Sequence, residues 1–93
     1  KLRMGIMLVT FRLMPESVET DLENIRNYAE KIAHGSGFAV LEFHQEPIAF
    51  GLKALIMRCS IDEREDIGNF EDKFKHIKGI MSVDVIDMRR GIG

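Results

Sequence analysis

The sequence predicts an α+β domain with the element order β-α-β-β-α-β, and three observations carry that prediction. Apolar residues recur with period 2 in four stretches and with period 3.6 in two others. Each β-like stretch has one clearly apolar face and one mixed face, so two amphipathic helices cover the apolar side of a sheet and leave the other side open. At 93 residues the chain has room for one core and no second one.

Residues 5–14 read as the first strand. Met7, Val9, Phe11 and Leu13 share its apolar face, with Thr10 and Arg12 opposite, and Met14-Pro15 stops it. Thr20-Asp21-Leu22-Glu23 has the form of a capping box and predicts a helix start. Leu22, Ile25, Ala29 and Ile32 then form one stripe, and His34-Gly35 is the expected helix end. Residues 38–46 alternate as a second strand, with Ala39, Leu41 and Phe43 inward and Glu42, His44 and Glu46 outward. Residues 52–60 form a third, with Leu55, Met57 and Cys59 on one face and Arg58 on the other. Residues 66–78 return to helical spacing through Ile67, Phe70, Phe74 and Ile77, supported by the i,i+4 pair Glu71 and Lys75, and Gly79 ends that helix. Residues 80–90 form the last strand, with Met81, Val83 and Val85 inward.

Right-handed crossovers turn this order into the ferredoxin-like, split βαβ arrangement: a four-stranded antiparallel sheet in the order 4-1-3-2, both helices on one face. In that topology the 46–51 turn lies at one end of the sheet and the end of the fourth strand at the other. Strands of about eight residues separate the two ends by roughly 25–30 Å, so a partner touching both is large or multidomain.

Composition narrows the function. The balance of 45% hydrophobic and 30% charged residues is that of an ordinary globular domain. A net charge of −2 exerts no global pull on nucleic acid, so any basic patch is local. No apolar run reaches spanning length and no signal-peptide pattern opens the chain. The lone Cys59 excludes an internal disulfide and fits a reducing, intracellular compartment. Met4-Gly5 reads as a native start, which leaves residues 1–3 as a tag remnant or extension and residues 4–90 as the domain. Val9 stands where a myristoylation signal needs Ser or Thr.

Enzymatic signals are weak. His34, His44 and His76 have no ligand-like spacing. Glu42, His44 and Glu46 share a strand face, which reads more simply as a solvated sheet surface than as a metal or proton-transfer site. The cluster Asp62-Glu63-Arg64-Glu65-Asp66 lacks the alternating ligands and glycine of a calcium loop and reads as a solvated turn before the second helix. Ser17, Ser36, Ser60 and Ser82 have no nucleophile-elbow context, and no phosphate-cradling glycine motif is present. The expectation is a chain that is no enzyme and holds no cofactor or metal.

Two places stand out instead. The run Glu46-Pro47-Ile48-Ala49-Phe50-Gly51-Leu52-Lys53-Ala54-Leu55 sets two bulky apolar side chains between a proline that fixes φ and a glycine that permits positive φ. Turns are normally polar, so Phe50 at the tip is either folded back on the core or offered to a partner. The second place is Met88-Arg89-Arg90, where two guanidinium groups close the last strand. Alternation puts Arg90 on the open face with Ile86 and Met88. The pair is either a solubilising basic end or a probe for a partner's anionic site.

These residues resemble a known family. Met14-Pro15-Glu16-Ser17 after the first strand, the 46–55 run, and Ser82-Val83-Asp84-Val85 through Met88-Arg89-Arg90 look like archaeal-type elongation factor 1-beta and the C-terminal exchange domain of its eukaryotic counterpart, over residues 4–90. The resemblance implies the ferredoxin-like fold and a cytoplasmic guanine-nucleotide exchange factor for elongation factor 1-alpha, the GTPase that delivers aminoacyl-tRNA during polypeptide elongation. It implies that Phe50 inserts into a second domain of that GTPase, where Pro47 and Ile48 are expected to add apolar anchoring, and that a basic residue near the C-terminus disturbs the Mg²⁺ and phosphate region of its nucleotide domain. Aligned on Met88, the eukaryotic lysine falls on Arg90, so arginine replaces lysine here, with Arg89 beside it. Read from the residues alone, Lys53 and Arg58 either assist docking to an acidic surface or are ordinary solvated bases. The factor is expected to be monomeric when free, with no direct nucleic-acid or membrane partner.

Three other functions share the element order. An RNA-recognition domain needs exposed aromatics on the middle strands, whereas the third strand has none and Phe11 faces the core. A small-ligand regulatory domain that dimerises through its sheet fits the partly apolar open face offered by Ile6, Leu8, Leu52 and Ile56. An acylphosphatase-like enzyme needs a glycine-rich, Arg-containing loop after the first strand, where Leu13-Met14-Pro15-Glu16 stands instead.

Overall fold

A computed structural model of the protein describes residues 5–36 and 38–91. The reading of residues 1–3 as an extension, and of Met4 as a start, lies outside the described residues.

The elements follow the expected order: β1 (Ile6–Pro15), α1 (Leu22–Ser36), β2 (Ala39–Pro47), β3 (Lys53–Asp62), α2 (Ile67–Lys75) and β4 (Ile80–Gly91). The four strands form one sheet in the order β2-β3-β1-β4, every neighbouring pair antiparallel, which is the predicted 4-1-3-2 read from the other edge. Val9, Phe11 and Leu13 of β1 and Leu55, Met57, Cys59 and Ile61 of β3 are buried against Ile25, Ala29 and Ala33 of α1 and Phe70 and Phe74 of α2. Phe74 meets Phe11 edge-on at 5.1 Å, and Phe38 meets Phe70 at 4.5 Å, so four phenylalanines lock α2 to the sheet. Each such pair contributes about 0.5–1.5 kcal/mol beyond its buried area.

Several local expectations are corrected. Simple alternation fails on both edge strands, because their core residues do not share one parity. In and just before β2, Phe38 and Val40 are even-numbered and Phe43 is odd, yet all three pack toward the core. A bulge at Leu41, between the pairs Val40↔Cys59 and Glu42↔Arg58, reconciles them and leaves Leu41 exposed, with Ala39 exposed at the strand start. In β4 the inward residues are Ile80, Val83 and Val85. The register slips between Pro15↔Ile80 and Met14↔Ser82, and again between Phe11↔Val85 and Thr10↔Asp87. Met81 and Ile86 are the extra residues, and Met81, expected inward, is exposed. The second slip also moves the strand's end. Met88 lies opposite Val9 and Arg90 opposite Met7, on the helix side, while Arg89 lies opposite Leu8 on the open side. Arg90 therefore does not share the open face as alternation proposed.

The helix ends shift as well. Asp21, not Thr20, caps α1: its Oδ1 accepts from the backbone N–H of Glu23 at 3.0 Å and of Asn24 at 3.3 Å, while Thr20 Oγ1 accepts from Ser17 N–H. The helix runs through Gly35 to Ser36. Asp66 caps α2 by accepting from Gly68 N–H at 2.9 Å, and α2 stops at Lys75 rather than 78. Gly79 takes φ 97°, which turns the chain into β4.

The open face is less apolar than expected. Ile56 is 2% exposed, seated in register between Arg12 and His44. Cross-strand ion pairs lie beside it, Arg58–Glu42 at 2.9 Å and Arg12–Asp84 at 3.4 Å, with Glu42 also 3.5 Å from His44, while Ile6, Leu8 and Leu52 are half-buried.

Candidate functional site

The β2–β3 hairpin closes on itself through two backbone bonds. Ile48 N–H donates to Leu52 O at 2.7 Å, and Leu52 N–H donates to Ala49 O at 3.3 Å. Ala49–Gly51 is thus one tight turn, with Pro47 and Lys53 paired at its base. Gly51 has φ 77°, as its permissiveness suggested. Phe50 is left-handed too, at φ 62° and ψ 31°. Two successive residues of positive φ are the signature of a type I′ hairpin turn, whose first central position favours Asn, Asp or Gly. A bulky L-residue there costs about 1–2 kcal/mol. The side chain gains nothing within the domain in return, because Phe50 is 96% exposed. Of the two readings the sequence left open, the ring is offered outward.

Val18 adds to this end. Its side chain is exposed, and its Cγ1 lies 3.7 Å from where a Cβ on Gly51 would stand. A shallow cleft beneath the hairpin is lined by Pro15, Val18, Leu22, Gly51 and Lys53. Sequence reasoning missed Val18, because a lone valine in a loop carries no periodic signal; only the packing of the β1–α1 loop against the turn reveals it.

The opposite end holds the two arginines. Arg90 and Ile61 both lie opposite Met7, and from Ile61 back to Lys53 β3 spans about 26 Å, so the hairpin tip and Arg90 stand at opposite poles. The long axis of the molecule is 51 Å. Arg89 Nε lies 3.0 Å from Asp87 Oδ2, and Arg90 Nη1 lies 2.8 Å from Glu63 Oε2. Both arginine side chains remain mostly exposed, on opposite faces of β4. In the turn beside them Arg64 donates from Nε and Nη2 to the Asp62 carboxylate, and these bonds hold Asp62 below the usual carboxylate range. Of the two cations read as docking aids or solvated bases, Lys53 is exposed at the hairpin base, while Arg58 is engaged by Glu42.

The other candidate chemistry does not assemble. Among the described residues no group of three or more His, Cys, Asp or Glu side chains is arranged to hold a metal ion. Cys59 is buried in the core, and burial pushes its thiol up to about 12. Phe11 is fully buried, and the open-face positions of β1 and β3 carry no aromatic for stacking a base. No helix among the described residues is long and apolar enough to cross a membrane. What the two poles can do is bind: one by burying an aromatic ring, the other by presenting charge.

Comparison with known proteins finds relatives over nearly the whole chain. The family model described as the EF-1 guanine nucleotide exchange domain matches residues 8–90. Elongation factor 1-beta of Methanosarcina mazei is 38% identical over 92 residues, covering 94% of this chain and 99% of its own. The protein of the same name from Methanosarcina barkeri is 34% identical with the same coverage, and that from Metallosphaera sedula is 33% identical, covering 90% and 93%. Among solved structures, an ACT domain from a GTP pyrophosphokinase of Chlorobium tepidum superposes with a TM-score of 0.61 at 11% identity, over 85% of this chain and 96% of that one. That likeness concerns the fold alone.

Proposed function

The chain belongs to the family of EF-1 guanine nucleotide exchange domains, and from that premise we propose that it promotes GDP release from elongation factor 1-alpha during polypeptide elongation. It acts as a single cytoplasmic domain, monomeric when free, and makes or breaks no bond itself. The observation that carries the reading is the separation of a strained, outward Phe50 from the Arg89–Arg90 pair by the length of the sheet. A wedge with an apolar point and a cationic tail suits a multidomain GTPase better than it suits a small ligand.

An exchange factor works by differential binding. It must bind the nucleotide-free GTPase more tightly than the loaded form, and linkage makes the two effects equal: the factor weakens nucleotide as much as nucleotide weakens the factor. Phe50, flanked by Pro47, Ile48 and Val18, anchors the apolar pole in one domain of the GTPase. Lys53 lies close enough to steer that contact. Met88 supports the other pole, where Arg90 brings positive charge to the GTPase's Mg²⁺ and phosphate region. There it competes with the ion and displaces the switch segments that hold it. Arg89, on the opposite face of the strand, is the weaker contributor.

The test is stopped-flow release of fluorescent GDP from elongation factor 1-alpha of the same source. Phe50→Ala is expected to raise the factor concentration needed for half-maximal release, and Arg90→Ala to lower the maximal rate more than it weakens binding. Full stimulation by the Arg89→Ala/Arg90→Ala double variant would eliminate the charge mechanism.

A further inference from the structure

We propose that Glu63 is a positioning residue for Arg90: it holds the guanidinium against its own domain, and docking must exchange that ion pair for one with the GTPase. The inference rests on the exchange reading and adds to it a residue that sets how readily the cationic pole engages. The pairing follows from how the turn after β3 is built. Glu63 N–H donates to Gly5 O at 3.0 Å, which ties the turn to the start of β1. The Glu63 carboxylate then lies in the space a side chain on residue 5 would fill, so only glycine lets it settle there. Neighbouring charges are already taken. Arg64 folds back onto Asp62, and Arg89 pairs with Asp87. Register brings Arg90 beside Met7, level with the end of β3, and its Nη1 reaches Glu63 Oε2 at 2.8 Å. The glutamate side chain is 31% exposed and the arginine side chain 71%, so the guanidinium is the member more open to an incoming partner.

The consequence is competition. A carboxylate beside Arg90 offsets its positive charge and would repel the phosphate or carboxylate groups the arginine must approach. Glu63→Gln keeps the shape and removes that charge. The expected result is a half-saturating factor concentration about two- to fivefold lower, the scale of one exposed ion pair, with the maximal rate unchanged. Salt gives a second readout. In the native factor docking replaces one ion pair with another; in Glu63→Gln it creates a new one, so the variant's half-saturation must rise more steeply with salt. Gly5→Ala, which evicts the carboxylate without changing charge, should move half-saturation in the same direction.

The experiment is GDP release titrated with wild type, Glu63→Gln, Gly5→Ala, Arg90→Ala and the Glu63→Gln/Arg90→Ala double variant, at low and moderate salt. Support requires that Glu63→Gln lowers half-saturation and that the effect vanishes in the Arg90→Ala background. The proposal is overturned by an unchanged half-saturation, by a reduced maximal rate in Glu63→Gln, or by an equal effect with Arg90 absent, which would assign Glu63 a general repulsive role. Wild-type factor that releases no GDP at all would instead sink the exchange reading itself.

Discussion

Replacing Phe50 with Asn pulls stability and activity in opposite directions, and both magnitudes follow from the hairpin. Phe50 sits at φ 62° and ψ 31° with 96% of its surface exposed. The domain therefore carries the left-handed strain without any compensating contact. Asn is the favoured residue at that turn position, so Phe50→Asn should relieve about 1 kcal/mol and raise Tm by about 4–8 °C for a domain of this size. The same change removes the ring offered to the partner. Full burial of a phenylalanine is worth about 1.5–3 kcal/mol, which corresponds to a loss of affinity of about 10- to 150-fold. Thermal unfolding by circular dichroism gives the first quantity, and titrated GDP release from elongation factor 1-alpha gives the second. A variant that melts lower than wild type would show that the ring stabilises the hairpin after all. A variant that melts higher but binds equally well would remove Phe50 from the interface.

Other expectations concern the scaffold. Phe74→Ala empties the centre of the aromatic cluster and should cost about 3–5 kcal/mol in urea unfolding. Asp21→Ala should cost about 1 kcal/mol through loss of the α1 cap, and Thr20→Ala distinctly less; equal losses would restore the capping-box reading. Burial pushes the Cys59 thiol up to about 12, so at pH 8 the folded protein should resist a disulfide reagent, with labelling that tracks unfolding. Rapid labelling without unfolding would contradict its placement in the core.

The architecture was legible because β1, β3 and both helices keep a clean period, and those four elements build most of the core. The edge strands were not legible to the same depth. Alternation assigns faces by parity, and one inserted residue reverses every assignment beyond it. Leu41, Met81 and Ile86 are such insertions, and the last of them carried Arg90 from the expected open face to the helix side. The poles were visible in part. The 46–55 run marked the hairpin, but the positive φ of Phe50 was hidden, since sequence alone suggests Gly51 as the sole left-handed residue. The Glu63–Arg90 contact was invisible for a different reason: it joins residues from different strand ends that only the register brings together.

The most direct test of exchange by differential binding is the affinity of the factor for elongation factor 1-alpha in its nucleotide-free and GDP-bound forms, measured by isothermal titration beside the affinity of GDP for the free and factor-bound GTPase. Tighter binding to the empty form is expected, by the same ratio with which the factor weakens GDP. Equal affinity for the two forms would contradict the account, however tightly the proteins bind.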